Sequence, residues 1–400
     1  MVNAIRRVLL TEIPTIAFNI YEDGENNDLI MNINNTSLHN EMLLHRISLI
    51  PLYINPENYM KQFLFECKVK HDSNEPFKFI TMNDISIYPL KSGFLDRIHK
   101  LQDKSLSKED EELLHNQVNN FSIDNYDLKK PLSQKEKDKI FRPFEFKDHS
   151  YYSLITELKT TNSDDTFQEL HFYGSPSIGI AKEHAKFQSV SQATYSFLKN
   201  EELIKNILSE KIKIENLSDK NEIEIYTKKF MLAESERYFY RDSFNEPNKY
   251  NFSIKSNHYY DSETLFKKAI HILIHNCENL KLQFIEFLKE NDSTISIENT
   301  KEYIYQYEIL NQTHTLGNLI QNHIMNKSIN DKSILNSFSY KITHPLEDKI
   351  LFIVSINKNH KLFQTDEIQK IQSMTTFIME QIDEIISNLR ILYKVSEKQF

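Results

Sequence analysis

Apolar positions along this chain gather into two long helical stripes, one in its third quarter and one at its end. Across Glu263–Glu290, Phe266, Ile270, Leu273, Cys277, Leu280, Phe284 and Phe287 step by four and three in alternation, which lays one apolar seam along a helix. Across Asp366–Val395 a second stripe runs through Ile368, Ile371, Ile378, Ile382, Ile385, Leu389 and Leu392. Asp366 and Glu367 suit the positive N-terminal end of that helix. A shorter helix is predicted over Asn3–Ile13, where Ile5, Val8, Leu9 and Glu12 share a face and Pro14 ends it. Ser37 is a candidate N-cap for a helix carrying Leu38, Met42 and His45. Thr315 is another, ahead of Leu316, Leu319, Ile320 and Ile324.

β-Branched and aromatic runs predict strands at Thr15–Tyr21, Leu29–Ile33, Phe63–His71, Tyr151–Lys159, Tyr303–Leu310, Phe338–His344 and Lys349–Asn357. Asp23–Asp28 reads as a turn, Lys100–Lys139 as a charged surface insertion, Glu201–Glu224 as a peripheral charged stretch and Glu290–Lys301 as a polar connector. Each seamed helix stands next to strands that form a small antiparallel sheet. A helix covers its own sheet and keeps an apolar seam over, and two leftover seams bury best against each other. The pattern predicts an α+β fold in which two halves pair as an intramolecular pseudo-dimer.

Composition narrows the function. In 400 residues, 40% hydrophobic and 26% charged, there is room for two or three domains. A formal net charge of −9 argues against a dedicated nucleic-acid binder. Two cysteines, Cys67 and Cys277, cannot build a disulfide framework or a four-thiolate zinc site. Five glycines, none clustered, leave no phosphate-cradling loop. Arg6 and Arg7 interrupt the first apolar run, so no signal peptide is expected, and no run is long enough to span a membrane. His271 and His275, spaced i, i+4 with Cys277 close behind, have metal-ligand spacing and leave a metal-dependent enzyme as the alternative function. No Glu follows His271, so the metalloprotease motif is absent. No other catalytic constellation is present, and neither a cofactor nor a metal is expected.

Three N-terminal segments, NAIRRVLLTEIPTIAF (Asn3–Phe18), LHNEMLLHRISLIPL (Leu38–Leu52) and GIAKEHAKF (Gly179–Phe187), resemble the third-largest subunit of eukaryotic RNA polymerase II and, more distantly, the bacterial alpha subunit. HTLGNLI (His314–Ile320) and HPLEDK (His344–Lys349) resemble the small eleventh subunit that pairs with it. The resemblance implies two dimerisation halves in one chain, 1–52 with 179–290 and 303–400, joined by a linker at 291–302. An inserted mostly-β domain at 53–178 would carry the charged insertion 100–139. It further implies a non-catalytic scaffold that nucleates polymerase assembly. Its partners would be the two largest subunits and small accessory subunits like the tenth, with no sequence-specific contact to nucleic acid. Fused chains of this kind are associated with large cytoplasmic DNA viruses, which implies the host cytoplasm (the viral factory) and the virion as locations.

The resemblance also gives roles to residues that chemistry alone leaves open. Arg6, Arg7, His45 and Arg46 would face the large subunits, the arginine forks suiting carboxylates. Lys182, Glu183, His184 and Lys186 would form a partner-facing loop. Phe266, Ile270, Leu273, Leu316, Gly317, Leu319, Ile382, Ile385 and Leu389 would make the joint between halves, with Gly317 admitting a neighbouring backbone. Family zinc ligands are missing, since only Cys67 stands in the inserted region. The resemblance implies a strand ahead of the first helix, but Met1 stands only two residues before Asn3: either the true start lies upstream, or the sheet is one strand short and Thr15–Tyr21 is expected to have an open edge.

Overall fold

The computed structural model describes residues 1–21, 27–71, 75–102, 112–114, 116, 122–160, 167–289, 294–301, 303–330, 334–344, 346–347, 349–360, 363–364 and 366–399. Most of the turn read at Asp23–Asp28, much of the charged stretch 100–139, and Pro345 lie outside these residues. Helix α1 (Val2–Thr11) buries Ala4, Ile5, Val8 and Leu9, close to the predicted face. Strand β1 (Thr15–Ala17) is shorter than the run read from sequence and wholly buried. After β2 (Leu29–Asn34), helix α2 (Asn40–Ser48) starts behind His39, not Ser37. Its buried face is Leu43, Leu44 and Ile47, with Met42 and His45 on the outside.

Strands β3 (Phe63–Lys70), β4 (Phe77–Thr81) and β5 (Ile85–Pro89) follow, then helices α3 (Ser92–Gln102) and α4 (Gln134–Phe141). Short strands complete this region: β6 (Phe144–Phe146), β7 (His149–Tyr151), β8 (Leu154–Lys159), β9 (Glu169–Gly174) and β10 (Ser177–Gly179). A four-stranded antiparallel sheet has the order β2-β9-β3-β5, while β4 pairs with β8, β6 with β7 and β1 with β10. Along one edge β1 pairs with β10, Thr15 opposite Gly179 and Ala17 opposite Ser177. The stretch read as a surface insertion is partly structural. Leu114 and Tyr126 are buried beside Met60, Leu64, Leu90 and Ile98, and Lys137 is buried with its Nζ donating to Asn83 O at 2.7 Å.

A two-stranded antiparallel ribbon of β11 (Val190–Phe197) and β12 (Tyr250–Ser256) brings the chain back to α1. Between its strands lie α5 (Glu201–Ile214) and α6 (Lys220–Ala233), which bury only Ile204 and Phe230, so this excursion is peripheral as its charge implied. Helix α7 (Ser262–Leu288) is capped by Asp261, whose side chain accepts from Thr264 N–H at 2.7 Å. Next come β13 (Ile295–Lys301), β14 (Ile304–Leu310), α8 (His314–Asn330), β15 (Leu335–Lys341), β16 (Lys349–Ile356) and α9 (Glu367–Gln399). Their sheet has the order β13-β14-β16-β15. The polar connector is therefore, from Ile295 on, an edge strand. Asp366 caps α9 by accepting from Gln369 N–H at 3.3 Å.

Packing redraws one boundary. Ile16, Phe18, Leu29, Leu43, Leu44, Ile47 and Leu52 share a core with Phe65, Cys67, Ile155 and Phe172. Residues 15–52, read from sequence as part of a dimerisation half, thus pack with the β-rich domain. The other large core takes α1 through Ile13, resumes at Val190, and runs through α7, the four-stranded sheet, α8 and α9.

Candidate functional site

The joint between the halves is built on α7 and α9. Helix α7 buries Leu265, Ala269, Ile270, Leu273, Cys277, Leu280 and Phe284, and α9 buries Met374, Ile378, Ile382, Ile385, Ile386 and Leu389, all in one core. Phe266, Phe287, Ile371 and Leu392 are partly buried against it, while Ile368, placed in the stripe from sequence, is exposed, and Met374 completes the stripe between Ile371 and Ile378. Each fully buried aliphatic side chain contributes roughly 1.5–3 kcal/mol, so the seam dominates the energetics of the joint. The Phe284 ring stands edge-on to Tyr307 of β14, centroids 6.0 Å apart, and so carries the contact from one half into the other half's sheet. Behind it Tyr307 Oη and Thr375 Oγ1 are hydrogen-bonded at 3.0 Å in the buried interior.

Polar contacts fix how the halves meet. Lys281 Nζ lies 2.6 Å from Asp383 Oδ2, and Arg390 Nη2 lies 2.7 Å from Glu278 Oε1, so α7 and α9 exchange two ion pairs at their exposed rim. Arg7 Nε donates to Thr315 Oγ1 at 2.9 Å, reaching from α1 to the first turn of α8. Thr315 is therefore inside the helix and receives Arg7, in place of the cap read from sequence, and Arg7 serves the internal joint. Arg6 Nε donates to Asn3 Oδ1 within the same helix at 3.0 Å, and Arg46 Nε donates to Leu154 O at 3.2 Å. Gln312 Nε2 donates to Gln283 Oε1 at 3.2 Å, again across the halves. Glu12, on the predicted face of α1, accepts from Asn276 Nδ2 at 2.8 Å.

Both motif segments turn on a glycine under an aromatic ring. A Cβ on Gly179 would stand 2.5 Å from the ring of Phe187, and one on Gly317 would stand 2.6 Å from Tyr340 Cδ2. Gly317 therefore admits a ring, and not the neighbouring backbone expected from sequence. Around Gly179 the loop is folded on itself rather than uniformly turned to solvent. Lys186 is buried and its Nζ donates to Asn19 Oδ1 at 2.9 Å, while Thr15 Oγ1 donates to Phe187 O at 2.7 Å. Lys182, Glu183 and His184 remain exposed. Partial desolvation first, then the charges of Lys186 and His45, hold the His184 imidazole below its ordinary value.

Leu316 and Leu319 are buried as read from sequence. Nothing in the sequence pointed to Asn276, Gln283, Gln312 or Tyr340, because polar residues on a seamed helix and a lone tyrosine in a strand carry no periodic signal. His271 and His275 are exposed, whereas Cys277 sits in the dry seam on the opposite side of α7. The three residues do not converge on one point, and among the described residues no group of His, Cys, Asp or Glu has metal-site geometry. Burial pushes both the Cys277 and the Cys67 thiol up to about 12, so each is a neutral apolar filler.

Two family models match the chain, and both are described as the RNA polymerase Rpb3/Rpb11 dimerisation domain. One covers residues 1–277 and the other residues 305–388. No curated protein matches it. The chain belongs to the RNA polymerase Rpb3/Rpb11 dimerisation domain family, and its two matches mark it as a fused, alpha-like polymerase assembly subunit.

Proposed function

We propose that this family member is a non-catalytic scaffold that nucleates assembly of the two largest subunits of a DNA-dependent RNA polymerase, in the manner of a third and an eleventh subunit joined in one chain. One observation carries the reading: two dimerisation-type halves, matched separately, share a single apolar core through α7 and α9. Fusion makes that pairing intramolecular, at an effective concentration on the order of mM for a short connection. The exposed loop Lys182–His184, Arg6 on α1, and His45 with Arg46 on α2 are the groups offered to the large subunits. Small accessory subunits like the tenth complete the partner set, and a virus transcribing in its host's cytoplasm is the setting. Purification through a tagged largest subunit tests this. Stoichiometric recovery of the chain supports it, and a polymerase assembled and active without the chain overturns it.

A further inference from the structure

We propose that the cleft beside the joint holds a short extended polypeptide segment of a neighbouring polymerase subunit, gripped through its main chain by side-chain carboxamides. The inference rests on the assembly reading above. The cleft, about 450 Å³, lies where α1, the loop after β10, α7 and the start of α8 meet. Ile180 and Lys182 enter it from one family-like segment and Leu316 from the other, more than a hundred residues later. Lys182 N–H donates to Thr11 O at 2.9 Å, which pins that loop to α1.

The lining is unusual in its amides: Asn276, Asn279, Gln283, Asn311 and Gln312. A carboxamide offers two N–H donors and one acceptor oxygen, so it can pair with both the C=O and the N–H of a peptide unit. Part of that capacity is used internally, by Asn276 on Glu12, Gln312 on Gln283 and Asn279 Nδ2 with His275 Nε2 at 3.1 Å. Among the described residues, Gln283 Nε2 and the Oδ1 atoms of Asn276 and Asn279 have no protein partner, so donors and acceptors both remain.

Asn276, Asn279 and Gln283 share one face of α7 at steps of three and four. At about 1.5 Å of rise per residue they span roughly 10 Å, the length of about three residues of extended chain at ~3.3 Å each. Ile272 and Leu316 supply an apolar wall for one side chain. The charged lining is Glu12 and Lys182, one of each sign, which does not match a phosphodiester backbone. Gln283 and Gln312 bond across the halves, so the cleft is continuous with the joint and exists only when the halves are paired.

The test uses the full chain within polymerase purified through its largest subunit, with p-benzoylphenylalanine at the exposed position of Asn279. Irradiation and mass spectrometry are expected to show adducts on one short segment of another subunit. A synthetic peptide of that segment should bind the isolated chain, at least tenfold more weakly after Asn279→Trp or Gln283→Ala, with an unchanged thermal transition as the control for folding. Adducts confined to this chain, adducts to nucleic acid, no adduct in a complex that contains the chain, or unweakened peptide binding would each overturn the proposal. If the chain is missing from the purified polymerase, it is the assembly reading that fails, and this inference falls with it.

Discussion

The two halves meet as partners yet are built unequally. The C-terminal half is one continuous segment whose helices α8 and α9 rest on a four-stranded sheet, β13-β14-β16-β15. Among the described residues, the N-terminal half sets its helices against the ribbon β11-β12, and its helices α1 and α7 come from segments separated by the whole β-rich domain. A two-stranded ribbon is marginal by itself. The N-terminal half is therefore expected to lean on the seam between α7 and α9 more than the C-terminal half, which has a four-stranded sheet to bury against.

The largest blow to that asymmetry is Leu273→Asp, which puts a carboxylate in the dry seam at a cost of several kcal/mol, on the order given by unpaired polar burial. Hydrogen exchange should then be fast across α1, β11 and α7 and remain slow in β14 and β16; equal loss in both halves would contradict the unequal dependence. Cys277 reports the same event chemically. Its thiol, pushed up to about 12, should resist alkylation at pH 8 in the native chain and react in the variant. Ile382→Ala, from the α9 side, should cost about 2–5 kcal/mol through the cavity it leaves, measured by denaturant unfolding.

A sharper comparison comes from the two glycines. Gly179→Ala and Gly317→Ala each press a methyl on a ring, Phe187 or Tyr340, and should cost about 1–3 kcal/mol by overpacking. Phe187→Leu and Tyr340→Leu should each recover part of the loss only when combined with the glycine change in the same half. The smallest effect belongs to the rim. Asp383 and Arg390 are 51% and 60% exposed, so Lys281→Ala or Arg390→Ala should move stability by no more than about 1 kcal/mol. A loss comparable to that of Ile382→Ala would mean the ion pairs, and not the seam, hold the joint.

Much of this architecture was legible because long amphipathic helices declare themselves. The alternation through Leu273, Cys277 and Leu280 has no other economical reading, and the stripe through Ile382 and Leu389 repeats it. What failed was local or long-range. The sequence reading followed Leu38, Met42 and His45 along α2, whereas the buried face is Leu43, Leu44 and Ile47, and the helix starts behind His39 rather than Ser37. As an edge strand, β13 buries Ile295 and part of Ile297 among polar neighbours, too weak a pattern to stand out from a connector. That residues 15–52 pack with the β-rich domain depends on contacts of Ile16 and Phe18 with strands far along the chain, which no local period encodes. The bond from Arg7 to Thr315 was hidden for the same reason: each residue has an ordinary local role, and only the pairing of halves brings them together.

The intramolecular joint itself is tested most directly by Lys281→Cys with Asp383→Cys, in a chain carrying Cys67→Ser and Cys277→Ala, treated with a short bismaleimide at low protein concentration. The native side chains at these positions touch across α7 and α9. A crosslink that closes a loop within one polypeptide, found by mass spectrometry at the mass of a single chain and absent from either single-cysteine variant, is the result predicted. Crosslinks only between chains, or none in a protein that remains folded, would contradict it.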